Sequence, residues 1–357
     1  MTLVARFMMA IVALSCASQV MASELVLVAG GEESTLPTAA VKAKLDGPFG
    51  VDFNRQGTMF IVEMTGQRVL AVTPAGELSL LAGNGGKGNG GDNGSPRLAQ
   101  FNGMHHLVVA PNGEIYLADT WNNRVRKIDA RGESIVPFAG TGEKGFGGDG
   151  GPAAQAQFGG IYCLSIDPAG ERMYLDDLDN RRIRAITLST GIVETVAGNG
   201  QRGEPQDGAD ARQAPLVDPR AVAADANGNV YILERKGDAL RVVDKSGRIR
   251  TLIGGKANEV RDETGGVPLP LKGPKHLSID HDGNVLIADT ENHLIRKYLP
   301  AEKKLIRIAG TGQPGSKGLN GPPLEAELKQ PHGVYEHSSG EIYISDSSNN
   351  RIVKIRP

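Results

Sequence analysis

The sequence predicts an all-β fold, a β-propeller of six four-stranded blades. The main observation is a segment of alternating apolar residues that recurs six times, usually after a glycine turn. The six segments read GTMFIVE, GEIYLAD, ERMYLDD, GNVYILE, GNVLIAD and GEIYISD, with central residues Phe60, Tyr116, Tyr174, Tyr231, Leu286 and Tyr343. Their spacings are 56, 58, 57, 55 and 57 residues. A period in this range is typical of a repeat architecture.

Each repeat contains enough strand patterns for one propeller blade. A short apolar strand precedes the segment and is joined to it by a hairpin turn such as Asn112-Gly113 or Asp282-Gly283. A third strand pattern follows, and in most units a fourth that ends in Ala-Gly or Gly-Gly. The predicted blades span 47–83, 101–140, 158–198, 216–255, 271–310 and 328–357, the last completed by 24–30.

The two ends of the sequence predict how the ring closes. The last unit reaches Pro357 after its third strand, whereas the segment 25–30 near the other end matches the fourth strands at 135–140 and 306–310. We therefore expect the N-terminal strand to complete the sixth blade, which would hide both open edges. An open solenoid would not explain a strand present at one end and missing at the other.

Length and composition favour a modular, turn-rich fold and argue against a nucleic-acid ligand. The chain has 357 residues, more than a single core usually accommodates, so a modular fold is expected. Its 48 glycines favour many turns between short strands. Because the net charge is -2, with no basic excess, we do not expect a nucleic-acid ligand.

Residues 1–22 have the pattern of a secretory signal peptide. Arg6 precedes a short apolar run, Phe7 to Cys16, and small residues follow before Ala22. The alternative, an uncleaved anchor, is disfavoured because the run is shorter than a membrane span, and no later segment is apolar enough for one. We expect a periplasmic or secreted monomer in which Cys163 has no disulfide partner.

Residues repeated in every unit predict structural roles. An acidic residue ends each second strand, at Glu63, Asp119, Asp177, Glu234, Asp289 and Asp346. An arginine follows five residues later in four units, at Arg68, Arg124, Arg182 and Arg351. Sixfold repetition favours turn capping over catalysis, which needs a carboxylate once or twice. The repeated aromatic residues are expected to pack one blade on the next. The glycine-rich links carry Asp92, Asp149 and Asp207, which offer few oxygen ligands for calcium.

Positions that differ among the units predict the functional site. The residue that begins each innermost strand should lie at one mouth of the central channel; these residues are Phe49, His105, Tyr162, Arg220, Lys275 and His332. Their neighbours are expected to point into the blades: Gly50, His106, Cys163, Ala221, His276 and Gly333. A mouth with two cations, two histidines and a tyrosine suits an anionic small molecule.

The repeat sequence resembles the NHL-repeat propellers. Asn292-His293-Leu294 spells the tripeptide that names the family, and related patterns start at Asp119 and Asp346. The resemblance covers all six units from about residue 47 onward. It implies the propeller fold but not one function, because the family includes binding scaffolds, sensor domains and at least one lyase.

The chain also resembles the peptidyl-hydroxyglycine amidating lyases, and this resemblance concerns a metal site at the channel mouth. That family holds a catalytic zinc with three histidines at this ring position, on alternate blades. Here His105 and His332 match two of the ligands, but Arg220 stands in the third place and cannot ligate a metal. A two-histidine site for zinc or another divalent metal therefore stays open.

Two hypotheses follow from these residues. The first is a secreted binding module that takes an anionic metabolite, a peptide, a glycan or a partner protein at the six-residue mouth. The second is an enzyme, a lyase or lactone hydrolase, in which His105 and His332 hold a metal. Arg220 would then be the catalytic residue that stabilises a developing oxyanion.

Overall fold

The antiparallel sheets of the protein form a ring around a central channel. The computed structural model describes residues 23–31, 36–255, 257 and 259–356. The first strands of neighbouring blades contact one another all the way round the ring, so they are the innermost strands. The predicted six-bladed β-propeller is confirmed. The predicted signal peptide, residues 1–22, lies outside the described residues.

The four main strands of each blade are paired in chain order from the innermost strand outward, except in blade 6, whose outermost strand comes from the N-terminal end of the sequence. Blade 1 contains β2 (Thr38–Ala39), β3 (Pro48–Phe53), β4 (Met59–Glu63), β5 (Arg68–Val72) and β6 (Glu77–Ala82). Blade 2 contains β7 (Leu107–Val109), β8 (Ile115–Asp119), β9 (Arg124–Ile128) and β10 (Ile135–Ala139). Blade 3 contains β11 (Leu164–Ile166), β12 (Arg172–Asp177), β13 (Arg182–Thr187) and β14 (Ile192–Ala197).

The second half of the ring repeats this plan. Blade 4 contains β15 (Ala209–Asp210), β16 (Pro219–Ala224), β17 (Val230–Glu234), β18 (Ala239–Val243) and β19 (Arg248–Ile253). Blade 5 contains β20 (His276–Ile279), β21 (Val285–Asp289), β22 (Leu294–Leu299) and β23 (Lys304–Ala309). Blade 6 contains β24 (Gly333–Glu336), β25 (Ile342–Asp346), β26 (Arg351–Arg356) and the N-terminal β1 (Glu24–Gly30). Two-residue strands β2 and β15 give blades 1 and 4 a fifth strand, which the four-strand pattern did not predict.

Helical structure in the described residues consists of single 3-10 turns. They are Ala40–Lys42, Pro96–Leu98, Thr120–Asn122, Ala153–Gln155, Thr290–Asn292, Pro323–Glu325 and Ser347–Asn349. None of these turns is long and apolar enough to cross a membrane.

The hydrophobic core is divided into six clusters, one at each interface between neighbouring blades. Phe60 of blade 1, for example, packs in one cluster with Leu107 and Leu117 of blade 2. Tyr116, Tyr174, Tyr231, Leu286 and Tyr343 hold the same position at the other five interfaces. The predicted blade-on-blade role of these residues is confirmed. Because each blade buries its apolar face only against its neighbours, its stability depends on the ring.

The repeated acidic residues have the predicted structural role, but the main-chain donor that they bind lies outside their own turn. Each carboxylate is fully buried and accepts a main-chain N–H from the residue 17 positions earlier, or 18 in blade 3, at 2.6–2.9 Å. The donor precedes the innermost strand, so the carboxylate links the second strand to the chain that enters the blade. This sixfold bond is a structural role.

The rule for the partner arginine needs a correction. Arg68, Arg124 and Arg351 pair with their carboxylates as the spacing of five predicts. In blades 3, 4 and 5 the partner lies two residues further along, at Arg184, Arg241 and Arg296. Residues two apart on a strand share a face, so either position reaches the carboxylate.

The link carboxylates are engaged by side chains of the blades. Asp92 pairs with Arg124 (2.8 Å) and Arg126 (2.6 Å), and Asp149 pairs with Arg184 (2.7 Å). These pairs fasten the glycine-rich links to the third strands of their blades. A calcium site at the links stays a prediction.

Asp52 lies in the channel and gives the fold a pH dependence. Its carboxylate accepts the N–H groups of Phe53 and of Val109 on blade 2, both at 2.7 Å. Burial raises the pKa of Asp52 from 3.8 to about 6. The folded protein therefore holds this proton more tightly than the unfolded chain, and the resulting stability is complete below pH 3.8 and lost as the pH rises to 6.

We expect the Asp52→Asn variant to remove this pH dependence. Urea unfolding at about pH 4 and pH 7.5 would give the difference in unfolding free energy between the protein and the variant. That difference should shift by about 2–3 kcal/mol in favour of the variant at the higher pH. If the difference in unfolding free energy between the protein and the variant is the same at both pH values, the raised pKa of Asp52 is contradicted.

Candidate functional site

All six ring residues predicted for the channel mouth come together in the structure. The Phe49 ring lies between the rings of His105 and His332, at centroid distances of 5.1 and 4.0 Å. The Tyr162 ring continues the contact beyond His105 (4.6 Å). The Arg220 guanidinium lies over the Tyr162 ring at 4.3 Å, and Lys275 Nζ lies 3.3 Å from His332 Nε2. The ring residues thus form one connected layer across the mouth.

The members of this layer differ in exposure. Phe49, His105 and Arg220 are buried. Tyr162, Lys275 and His332 are half-buried, so these three side chains are the part of the layer that a ligand can touch from outside.

Both histidines of the mouth are held in a defined orientation. His105 Nδ1 lies 2.7 Å from the carbonyl oxygen of Gly103, and His332 Nδ1 lies 2.9 Å from that of Gln330. Each Nδ1–H therefore donates to the main chain and leaves the Nε2 lone pair free. In His332 this Nε2 lone pair accepts a hydrogen bond from Lys275, whereas none to that of His105 is seen among the described residues. Burial lowers the pKa of both imidazoles, that of His332 to about 3 with Lys275 contributing, so both are neutral at physiological pH.

Arg220 carries a buried charge that forms no ion pair with a carboxylate of the described residues, although Asp176 is near enough to oppose the lowering of its pKa by burial. Its side chain is 4% exposed, and its Nε–H has no hydrogen-bond acceptor among the described residues. Burial lowers its pKa, and a guanidinium stays charged in proteins. A buried cation that forms no ion pair is unfavourable.

Asp176 is a functional residue that sequence reasoning missed. It is fully buried near Arg220, and one carboxyl oxygen accepts the N–H groups of Tyr162 (2.8 Å) and Cys163 (2.6 Å). Burial raises the pKa of Asp176 to about 8, although the nearby Arg220 charge opposes the rise. A sequence signal existed, because the other units have Val62, Ala118, Leu233, Ala288 and Ser345 at this position.

Trp121 is a second residue that the sequence analysis did not select. It is 47% exposed beside the mouth, and its ring contacts His105 at a centroid distance of 5.7 Å. Gly103 lies directly beneath it, since a Cβ there would come within 2.3 Å of the indole. The sequence again contained a sign of this residue, because the only tryptophan of the chain stands at a position where the other units have small or charged residues.

The predicted orientation of the neighbouring residues is wrong for two of them. His106 and His276 were expected to point into their blades, yet their Nε2 atoms are 2.8 Å apart although the blades face each other across the ring. Both side chains therefore project into the channel and meet at its axis. Gly50 makes room for this crossing, because a Cβ there would lie 2.9 Å from the His106 ring.

Below this histidine pair the channel widens into a cavity that opens on the opposite face. Its volume is about 530 Å³, and His106 and His276 line its inner end. Asp52, Val108, Ser165, Ser278 and Tyr335 line its wall. The histidine pair thus separates the mouth layer from this far cavity.

Comparison with protein families places the repeats among known propellers. The family model described as the Teneurin NHL domain matches residues 10–129 and 155–266, and the NHL repeat model matches 328–355. The Arabidopsis thaliana protein SUPPRESSOR OF QUENCHING 1, chloroplastic, is 27% identical over 74% of this chain and 26% of its own length. NHL repeat-containing protein 2 of Gallus gallus is 25% identical over 85% of this chain and 46% of its own length. The chain spans less than half the length of these curated relatives.

Solved structures with very different sequences have the same fold. An auxiliary nutrient binding protein from Bacteroides thetaiotaomicron superposes with a TM-score of 0.65 at 13% identity, covering 94% of this chain and 76% of that one. A gluconolactonase from Xanthomonas campestris superposes with a TM-score of 0.58 at 9% identity, covering 93% and 89%. The shared propeller carries binding proteins and enzymes alike, so the site must decide between them.

Proposed function

Since the chain belongs to the NHL-repeat β-propeller family, we propose that it is a binding module that takes an anionic ligand at the channel mouth. One observation carries this proposal: in the mouth layer Arg220 stacks on Tyr162 and Lys275 donates to His332, and neither forms an ion pair with a carboxylate of the described residues, the nearby Asp176 and Glu291 included. A negatively charged group at the mouth would supply the missing counter-charge.

The surroundings of the two cations narrow the class of ligand. Tyr162 and Trp121 present aromatic surface beside the charge, and the neutral imidazole of His332 adds a polar contact. Such a site favours a carboxylate or similar anion attached to an apolar or ring-shaped group. A small organic acid, the carboxyl end of a peptide or an acidic sugar has this chemistry. We also propose that binding takes place in the periplasm or outside the cell, on the basis of the signal-like segment 1–22.

The test is a binding screen with charge-matched variants. Mono- and dicarboxylates, short peptides with a free carboxyl terminus and acidic sugars would be screened by thermal shift, and positives measured by calorimetry. We expect Lys275→Gln to weaken binding of a ligand found in the screen by about 10- to 100-fold, the value of a hydrogen bond to a charged group. Arg220→Gln should weaken it by a smaller factor, because the buried Arg220 acts on the ligand through its charge and not by direct contact.

A control separates the mouth from the net charge of the protein. Arg55 is exposed in the turn after β3, so Arg55→Gln removes the same charge away from the ring layer. Its affinity should stay within about twofold of the parent protein, since exposed charges are screened by salt. An equal loss in all three variants, or none in the mouth variants, would refute the mouth as the ligand site.

A metal-assisted lyase or lactone hydrolase at the same mouth is the second candidate. It is favoured by the orientation of His105 and His332, whose Nδ1 atoms donate to carbonyl oxygens as those of metal-bound histidines do. The Phe49 ring between them and the Lys275 contact at His332 Nε2 weigh against it. Metal content that falls in a His105→Ala/His332→Ala double variant would support the enzyme.

A further inference from the structure

The strongest unexplained feature of the molecule is the cluster at the channel axis. His106, Cys163 and His276 are buried, and their Nε2, Sγ and Nε2 atoms all lie within 4.8 Å of one another. They come from blades 2, 3 and 5, so closure of the ring brings them together. The other three residues of this layer, Gly50, Ala221 and Gly333, are small and leave the axis to the cluster.

No pair of neutral tautomers of His106 and His276 satisfies every contact inside the cluster. The two Nε2 atoms are 2.8 Å apart, while each Nδ1 faces a main-chain N–H, that of Leu164 for His106 (3.4 Å) and that of Val334 for His276 (3.3 Å). Accepting these bonds would keep the proton of each neutral imidazole on Nε2. Two N–H donors would then meet head to head.

We propose that the axial cluster is a transition-metal site in which His106, Cys163 and His276 bind one zinc or copper ion. An ion between the two Nε2 lone pairs replaces the donor–donor contact, and the imidazole protons move to Nδ1. The main-chain N–H groups of Leu164 and Val334 then face Nδ1–H donors instead of acceptors, and the cost is limited because both contacts are long, at 3.4 and 3.3 Å. Cys163 gives up its thiol proton to water as the sulfur–metal bond forms.

The donor set determines the class of ion. Two imidazole nitrogens and a thiolate suit zinc and copper, whereas calcium and magnesium take oxygen ligands. Tetrahedral zinc with bonds of about 2.0–2.1 Å to nitrogen and 2.3 Å to sulfur separates its nitrogen ligands by about 3.3 Å. Since the Nε2 atoms are 2.8 Å apart, the imidazoles need to move apart by about half an ångström, and Cys163 Sγ, which lies within 4.8 Å of both, completes the set.

The far cavity supplies access and an open coordination position. His106 and His276 line its inner end, so an ion entering from that face meets both imidazoles directly. Three protein ligands leave a fourth position for water or a small ligand from the cavity. This site is distinct from the His105 and His332 pair of the mouth, which lies on the other side of the histidine crossing.

The test uses cobalt as a spectroscopic probe of thiolate coordination. The full chain, stripped of metal with a chelator, would be titrated with Co²⁺ and then with Zn²⁺ and Cu⁺. We expect one equivalent of Co²⁺ to give a thiolate-to-metal charge-transfer band. Zinc or copper should displace the cobalt and remove the band, and the concentration at which each does so ranks the affinities of the site for the two ions. Cys163→Ala should abolish the band, and both Cys163→Ala and His276→Gln should weaken binding by about 100-fold or more, beyond the usual effect of outer-shell changes.

Two further measurements keep the result interpretable. The His105→Ala/His332→Ala variant retains the axial cluster and should keep the charge-transfer band. If the band is lost in that variant but kept in Cys163→Ala, the proposal is overturned. Metal should raise the unfolding midpoint of the parent protein but not of Cys163→Ala, whose own fold is checked by its midpoint without metal. Absence of the band in the parent protein at stoichiometric cobalt would also overturn it.

Discussion

Removal of residues 23–31 is expected to open the ring and to convert the protein into a self-associating species. Strand β1 pairs with β26 along its length, and Leu25 is fully buried among residues of blades 5 and 6. Its loss exposes the edge of β26, and unpaired edges promote association between chains. The destabilisation should exceed the 2–5 kcal/mol typical of truncating one buried leucine. Urea unfolding and size-exclusion chromatography would measure both effects.

A peptide can show whether strand pairing is the cause. A synthetic peptide of residues 23–31, added to the shortened chain, should restore the unfolding midpoint and the monomeric elution volume. The same peptide with Leu25→Asp should not, because a charge would enter the apolar interface between blades 5 and 6. A shortened chain that stays monomeric with an unchanged midpoint would contradict the closure mechanism.

Closure was predictable because it depends on strand patterns that recur at a fixed period. The N-terminal strand has the same apolar alternation and terminal Ala-Gly as the outer strands of other blades, and the structure pairs Ala29 and Gly30 with Ile352 and Arg351 of β26. Packing between blades was predictable for the same reason, since one large apolar residue per unit is needed at each of six equivalent interfaces.

The channel axis was not predictable from alternation alone. The residue pairs in question lie where the innermost strands begin: β7 starts at Leu107, just after His105 and His106. In blades 1 and 4 the corresponding positions fall inside irregular pairing, between Pro48 and Val51 and between Pro219 and Ala221. Successive side chains alternate between faces only within a regular strand. Neighbouring residues can therefore both reach the channel, as His105 and His106 do.

Asp176 shows a different limit of repeat reasoning. It stands beside Asp177, the repeated acid of blade 3, and only the second of these two aspartates belongs to the sixfold pattern. The singular carboxyl lies next to Arg220 in a buried site, where burial raises its pKa to about 8. In a repeat protein, the position that breaks the pattern is the better guide to function, because the architecture does not require it.

The Asp346→Ala variant is expected to lose about 3–5 kcal/mol of unfolding free energy, the usual cost of breaking a buried ion pair. Asp346 accepts hydrogen bonds from Lys329 N–H, Asn349 Nδ2 and Arg351 Nε, each at 2.7 Å. The substitution leaves the Arg351 guanidinium buried without its carboxylate. Denaturant unfolding measures the loss. Glu302→Ala, which removes an exposed pair with Lys304, is the control and should change stability by less than about 1 kcal/mol.

A double variant distinguishes the pair from its individual members. Asp346→Leu/Arg351→Met replaces both charges with apolar side chains, so no buried charge is left alone. It should therefore be more stable than Asp346→Ala, even though Arg351 also donates to the carbonyl oxygens of Ser316 and Glu327. If the double variant is instead less stable than Asp346→Ala, those carbonyl contacts stabilise the blade more than the ion pair does. The repeated carboxylate would then matter chiefly as the acceptor of the main-chain N–H that precedes each innermost strand.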